Sequence, residues 1–220
     1  HEYVHALQDQ YFDLTAYQEM IENSDNYDSN LAYQALVEGD ATFIMNEYTI
    51  QVTEENPLGA AIQLGIGLAD SGSLFLPAGT PDIFAAELLF PYTEGEGFAR
   101  ALYNDGGWDT VNAAYDAPPQ SSEQILHPQA YLDGDNPHVL ELPVNAPDGY
   151  ELALSGTMGE FYLRQWLDSQ LTSDDPVDLA GTGWGGDTFN IYRNTDGDLA
   201  WELRLLWDTA QDADEFGEVM

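Results

Sequence analysis

His1-Glu2-Tyr3-Val4-His5-Ala6-Leu7-Gln8-Asp9-Gln10-Tyr11-Phe12-Asp13-Leu14 opens the chain, and its reading decides how the remainder is understood. Val4, Leu7, Tyr11, Phe12 and Leu14 recur at three- and four-residue steps, which predicts an amphipathic helix over 1–20, ended by the Asn/Asp/Ser-rich break at 23–30. On such a helix His1 and His5 point the same way and can bind one metal ion, with Glu2 beside the water that the ion would activate. Chance would place HExxH in a chain of this composition only about 0.006 times, so coincidence is a poor account of it. Two histidines do not close a zinc site, and a third protein ligand is required.

The best candidate for it is Glu38, in Ala35-Leu36-Val37-Glu38-Gly39-Asp40-Ala41-Thr42. A second helix is predicted over 31–53, and at helical spacing Glu38 shares a face with Leu31, Ala35, Ala41, Thr42 and Met45. An ionised carboxylate on an apolar stripe is costly unless it is paired or binds a metal. The bland alternatives are a partner such as Arg164 or a solvated helix edge. Asp40 lies about 200° round the helix from Glu38, so it is assigned a hydrogen-bonding or capping role.

Further along, shorter helices are predicted at 81–89, 95–103, 108–115 and 122–125, each bounded by Pro, Gly or Asp. A strand is expected at 139–144 and an amphipathic helix at 152–171. The runs 188–193 and 199–207, joined by Asn-Thr-Asp-Gly-Asp, read as a β-hairpin, and a last helix begins near Asp212. The apolar stretch 58–78 carries Gln63, Asp70, Ser71, Ser73 and four glycines, too broken for a membrane span, and is expected to be a buried helix followed by a loop. The expectation is a single, predominantly helical α+β domain over 1–220. Residues 1–53 hold the metal-site helices, 54–137 are helical, and 138–220 are mixed with a C-terminal β-hairpin.

Composition limits the function. The 220 residues include 4 Lys+Arg, all of them Arg, against 40 Asp+Glu, for a net charge of −36. Nucleic acid and anionic membrane surfaces are bound through clustered cations, and the four arginines are scattered, so neither is a partner. Disorder is excluded because 44% of residues are hydrophobic and 12% aromatic. Such an excess of negative charge is tolerated best where molar salt screens it, which points to a halophile. There is no cysteine, so no disulfide forms. The glycine-rich run 181–186 has neither a preceding βαβ strand nor a lysine, which argues against a nucleotide loop. Asn194, Asp196, Asp198 and Glu202 are spaced for a hairpin turn rather than a calcium loop, because Gly197 is at the fourth position and not the sixth.

A peptidase also needs a donor for the oxyanion that develops on the scissile carbonyl. His127 and Tyr131, in Ile125-Leu126-His127-Pro128-Gln129-Ala130-Tyr131, are the residues proposed for it, while His138 is expected to be exposed.

HExxH followed by a Glu on the next helix resembles the gluzincin metallopeptidases. The longer strings HEYVHALQDQYFDL, ALVEGDAT, FPYTEGEGFARALYNDGGW, SSEQILHPQAYL and GWGGDTFNIY resemble a family of zinc-peptidase-like surface proteins and lipoproteins, whose haloarchaeal members are called Hvo_1808 family surface proteins. The resemblance implies a gluzincin-type fold, Zn²⁺ held by His1, His5 and Glu38, Glu2 as general base, and an extracellular or cell-surface location. Two departures accompany it. Gluzincins commonly place an Asp four residues after the ligand Glu, where this chain has Thr42; and they carry a sheet before the HExxH helix, so the chain is expected to be truncated at its N-terminus. The function expected is zinc-dependent hydrolysis of peptide bonds in a peptide or protein substrate by a haloarchaeal surface metallopeptidase, with surface-layer or other cell-surface partners. The alternative is a non-catalytic surface or assembly protein that keeps the fold, with metal as a structural staple or absent.

Overall fold

The computed structural model describes residues 1–15, 17–18, 24, 26–56, 77, 79–171 and 177–220. Of the stretch 58–78, only residue 77 is among them, so the helix and loop expected there lie outside the described residues. The fold is α+β, with nine helices and one three-stranded antiparallel sheet among the described residues. No described helix is long and apolar enough to cross a membrane.

The chain divides into two compact units, one of residues His1–Leu14 and Gln34–Ala117, the other of Thr15–Tyr33 and Pro118–Met220. The first unit is helical. It contains α1 (Glu2–Phe12), the part of α2 (Tyr27–Glu55) from Gln34 onward, α3 (Asp82–Gly106) and α4 (Trp108–Asp116). α1 has an acidic residue, Glu2, in its first turn, where the helix dipole favours it, and closes at Asp13 in a left-handed conformation, φ 51°. That closure, rather than the Asn-rich break, ends the helix expected over 1–20.

α2 begins four residues earlier than expected, because the Asn26 side chain accepts a hydrogen bond from the Ser29 N–H and so caps it. The two helices expected at 81–89 and 95–103 are one, since α3 runs through both Pro91 and Gly95. Neither residue terminates it. Pro91 removes one backbone donor, and Gly95 lies at a helix crossing, where a β-carbon would stand 2.2 Å from the Ala35 carbonyl oxygen. Gly39 meets Gly95, and Glu47 reaches Arg100, so numbers rise together along α2 and α3 and the helices run in the same direction. Phe43, Phe98, Leu102 and Val111 fill the space between these helices, and the Arg100 guanidinium lies 4.9 Å over the Phe43 ring.

The second unit contains α5 (Ser122–Leu126), α6 (Pro128–Asp133), β1 (Tyr150–Gly156), α7 (Gly159–Gln170), α8 (Val177–Gly181), β2 (Trp184–Asn194), β3 (Leu199–Trp207) and α9 (Ala210–Val219). The expected hairpin is present as β2 and β3, paired Phe189 with Leu203 and Asn190 with Glu202. In its turn Asn194 Oδ1 accepts from the Asp196 and Asp198 N–H groups, and Gly197 takes φ 90°. β1 completes the order β1-β2-β3 with Tyr150 opposite Asn194. The helix expected over 152–171 is therefore a strand followed by a helix, and 139–144 is not a strand. The 139–144 segment is tied down by single contacts, such as the Arg204 guanidinium donating to the Glu141 carbonyl.

α7 starts where Asp187 of β2 accepts from the Met158 and Gly159 N–H groups, doing for the helix what a capping side chain would. Leu163 and Leu167 of α7 then pack with Ala180 and Trp184, and Leu205, Trp207 and Phe216 close over them. The last helix is capped by Thr209 and Asp212 in a reciprocal capping box.

Candidate metal centre

The metal-site residues expected from the sequence come together within the first unit. His1 Nε2 lies 3.1 Å from Glu38 Oε2, His5 Nε2 lies 3.2 Å from the same oxygen, and the two imidazole nitrogens are 3.2 Å apart. The imidazole planes stand at 87° with ring centroids 4.7 Å apart, so two lone pairs converge without the rings colliding. Among the described residues this is the group of three whose ligand atoms could hold a metal ion. The side chains of His1, His5 and Glu38 are 21%, 23% and 19% exposed, sheltered from bulk water and still reachable from it.

His5 is held from behind. Its Nδ1 lies 2.7 Å from Gln8 Oε1, and the Gln8 amide nitrogen lies 3.0 Å from the Val37 carbonyl, 2.9 Å from Asp40 Oδ2 and 2.8 Å from the Tyr115 hydroxyl. Tyr115 in turn donates to the same Asp40 oxygen at 2.8 Å. Burial raises the Asp40 pKa, and the hydrogen bonds from Gln8 and Tyr115 oppose that rise. Asp40 thus has the hydrogen-bonding role expected of it. Thr42, which replaces the Asp implied by the gluzincin resemblance, has its hydroxyl buried without a hydrogen-bond partner, as is His1 Nδ1.

Tyr92 on α3 is a site residue that the sequence reading missed, as it missed Gln8. Its hydroxyl is hydrogen-bonded to Glu38, and its ring centroid is 5.9 Å from that of His1. Burial, then the charge of Glu38 and the bond to it, then Glu2, all raise the phenol pKa, so Tyr92 stays protonated and can donate. Glu2 itself is exposed on α1. No spacing rule links position 92 to position 38; the long α3, read as two pieces at Pro91, hid the connection. Gln8 was more legible, standing three residues after His5 on the same helix face.

His127 and Tyr131 belong to the second unit. His127 joins α5 to α6, and its Nε2 lies 3.1 Å from Oε1 of Glu160, a fully buried carboxylate that also accepts from Arg164 Nε at 2.8 Å. Tyr131 sits in α6, with its pKa raised by burial. His138 is exposed, as expected, and its backbone N–H donates to the Gly185 carbonyl.

Residues 150–220 match the family described as Domain of unknown function (DUF8575). The matched residues comprise β1, α7, α8, β2, β3 and α9, and include none of His1, His5 and Glu38. Neither the curated proteins nor the solved structures give a match to this chain.

Proposed function

We propose that the protein is a zinc-dependent hydrolase of peptide bonds whose reacting groups lie in the first unit. The observation that carries the reading is the triangle of His1 Nε2, His5 Nε2 and Glu38 Oε2, with edges of 3.1, 3.2 and 3.2 Å. Donors about 2.0–2.1 Å from a tetrahedral zinc ion stand about 3.3 Å from one another, so the triangle has the size that three of four tetrahedral positions require. Two nitrogens and one carboxylate are also the donor set of an open, catalytic zinc site.

A zinc ion held there would polarise the scissile carbonyl and acidify a water molecule. Glu2, exposed and between the two histidines in sequence, is the residue that would accept the proton of that water and pass it to the leaving amine. Tyr92, protonated and next to Glu38, is the donor within the first unit for the oxyanion on the carbonyl, the role for which the sequence suggested His127 or Tyr131. The halophilic setting is supported by the charge of −36. The haloarchaeal cell-surface location, and a surface partner with it, rest on the family resemblance.

The test measures zinc content and cleavage of a denatured-protein substrate at molar salt, using full-length protein. One zinc per chain is expected. Glu2→Gln should keep zinc and lose about 10²- to 10⁴-fold in cleavage, whereas Glu38→Gln should lose zinc. A wild type that binds no zinc, or a Glu2→Gln variant that cleaves as well as wild type, would leave the non-catalytic surface protein as the better account.

A further inference from the structure

We propose that Gln8 is a positioning residue that keeps the His5 proton on Nδ1, so that the Nε2 lone pair is turned into the metal centre. This deepens the zinc reading and rests on it for its consequence, although the proton placement itself is a property of the metal-free protein.

The argument starts from a competition. A neutral imidazole carries one proton, and His5 has an acceptor on each side: Gln8 Oε1 at 2.7 Å from Nδ1 and Glu38 Oε2 at 3.2 Å from Nε2. A proton on Nε2 would bond a carboxylate, the stronger type of acceptor, and would block the nitrogen that must face the ion. Placement on Nδ1 leaves Nε2 unprotonated and the ligand ready. Which side wins depends on whether the oxygen of the Gln8 amide is locked toward His5.

The lock lies at the other end of the amide. Gln8 is 3% exposed, and its nitrogen faces the Val37 carbonyl at 3.0 Å, a group that can only accept, as well as Asp40 Oδ2 at 2.9 Å. Turning the amide over would set oxygen against the Val37 carbonyl oxygen and forfeit both bonds in a buried place, where each unmet polar group is expensive. The Tyr115 hydroxyl, 2.8 Å from both the Gln8 nitrogen and Asp40 Oδ2, braces the same end. A neutral amide suits this position better than a carboxylate would, because its two ends are chemically different and only one of them can accept from His5.

The test uses the full chain at molar salt. In the metal-free protein near neutral to mildly alkaline pH, long-range ¹H–¹⁵N correlations of the imidazoles should show the His5 proton on Nδ1. Gln8→Met, close in volume and without polar atoms, should move the proton to Nε2 and weaken zinc binding by about 10- to 100-fold in chelator competition. Gln8→Glu retains an acceptor for Nδ1 and should return the proton to Nδ1, which a purely space-filling role would not produce, although it should lower stability because its second oxygen then faces the Val37 carbonyl and Asp40. A wild type with its His5 proton on Nε2 overturns the proposal whether or not zinc binds and whether or not Gln8→Met folds. A folded Gln8→Met protein with unchanged tautomer and zinc affinity overturns it as well. A wild type with the proton on Nδ1, displaced by Gln8→Met, but with no affinity for zinc supports the role of Gln8 and removes the zinc reading alone.

Discussion

Gly39 of α2 and Gly95 of α3 lie backbone against backbone: a β-carbon at position 39 would stand 2.1 Å from the Gly95 carbonyl carbon. This crossing sets the metal centre, because Glu38 precedes one glycine and Tyr92 stands three residues before the other. Helices come this close only where neither carries a side chain at the contact. A methyl group on either would push apart the two elements that carry the ligand carboxylate and its phenol partner.

Gly39→Ala is accordingly expected to destabilise the first unit by about 1–3 kcal/mol or more, as overpacking against backbone does. The melting temperature should fall by about 2–4 °C for each kcal/mol in a chain of this size. Zinc affinity should fall with it, because Glu38 moves with its neighbour. Calorimetry of the variant beside wild type decides the matter, and an unchanged melting temperature would mean that the crossing is looser than its geometry implies.

Local chemistry was legible in the sequence, and the contacts that cross it were not. HExxH, the carboxylate of Glu38 and the hairpin around Asn194 and Gly197 each rest on short-range spacing; the hairpin is present, and the side chains of His1, His5 and Glu38 come together. Residues 152–156 of β1 were read as the start of the amphipathic helix over 152–171, and Leu152, Ala153 and Leu154 are good helix formers; pairing with Tyr192 and Ile191 of β2 overrides that preference. Gln8 and Tyr115 are 107 residues apart, and no local pattern announces that their side chains meet. Gly95 was taken for a helix end, since a glycine that admits a neighbouring backbone looks the same in sequence as one that stops a helix.

Salt should govern stability. Arg100 is engaged by Glu96 and Glu47, Arg164 by Glu160 and Asp178, and Arg204 by a backbone carbonyl, so the few cations do little for the remaining carboxylates. Screening reaches about 3 Å in 1 M salt and about 10 Å at 0.1 M, and dilution therefore lets surface carboxylates repel across several residues. The melting temperature should drop between 1 M and 0.1 M KCl. A constant value would refute the halophilic reading.

The second unit should lose stability as pH rises. Burial pushes the Asp28 pKa from 3.8 to about 7, against the hydrogen bonds from Ser122 and helped by the charges of Asp187 and Glu160. Burial, with the charges of Asp208, Glu160, Asp135 and Asp28, pushes that of Glu123 from 4.5 to about 9. Both folded-state values lie above the unfolded ones, so folding takes up protons. The stabilisation is complete below the unfolded values near pH 4 and is lost as pH climbs through 7 and 9. Between pH 7 and 9.5 at molar salt, where ordinary carboxylates no longer titrate, the wild-type melting temperature should decline. Glu123→Gln removes the group that still holds its proton in the folded state over this range and should flatten that slope; an equal slope in both proteins would count against the assignment.

Tyr92 can serve the site in two ways, and one substitution separates them. Its hydroxyl bonds Glu38, so it could fix the carboxylate that holds the ion; its protonated state next to Glu2 equally suits it to donate to the carbonyl oxygen of a bound peptide. An oxyanion donor acts only as charge develops, so losing it lowers kcat by about 10²- to 10³-fold while KM and zinc affinity stay near wild type. A residue that merely holds a ligand costs about 10- to 100-fold in zinc affinity, and its kcat returns when zinc is saturating. Tyr92→Phe keeps the ring against His1 and removes the hydroxyl alone. The expected result is the first pattern, because a zinc ion bonded to both imidazoles and to Glu38 would itself fix the carboxylate without help from the phenol. The second pattern, measured by zinc titration and saturation kinetics on the same preparation, would reassign Tyr92 to positioning and return the search for the oxyanion donor to His127 and Tyr131.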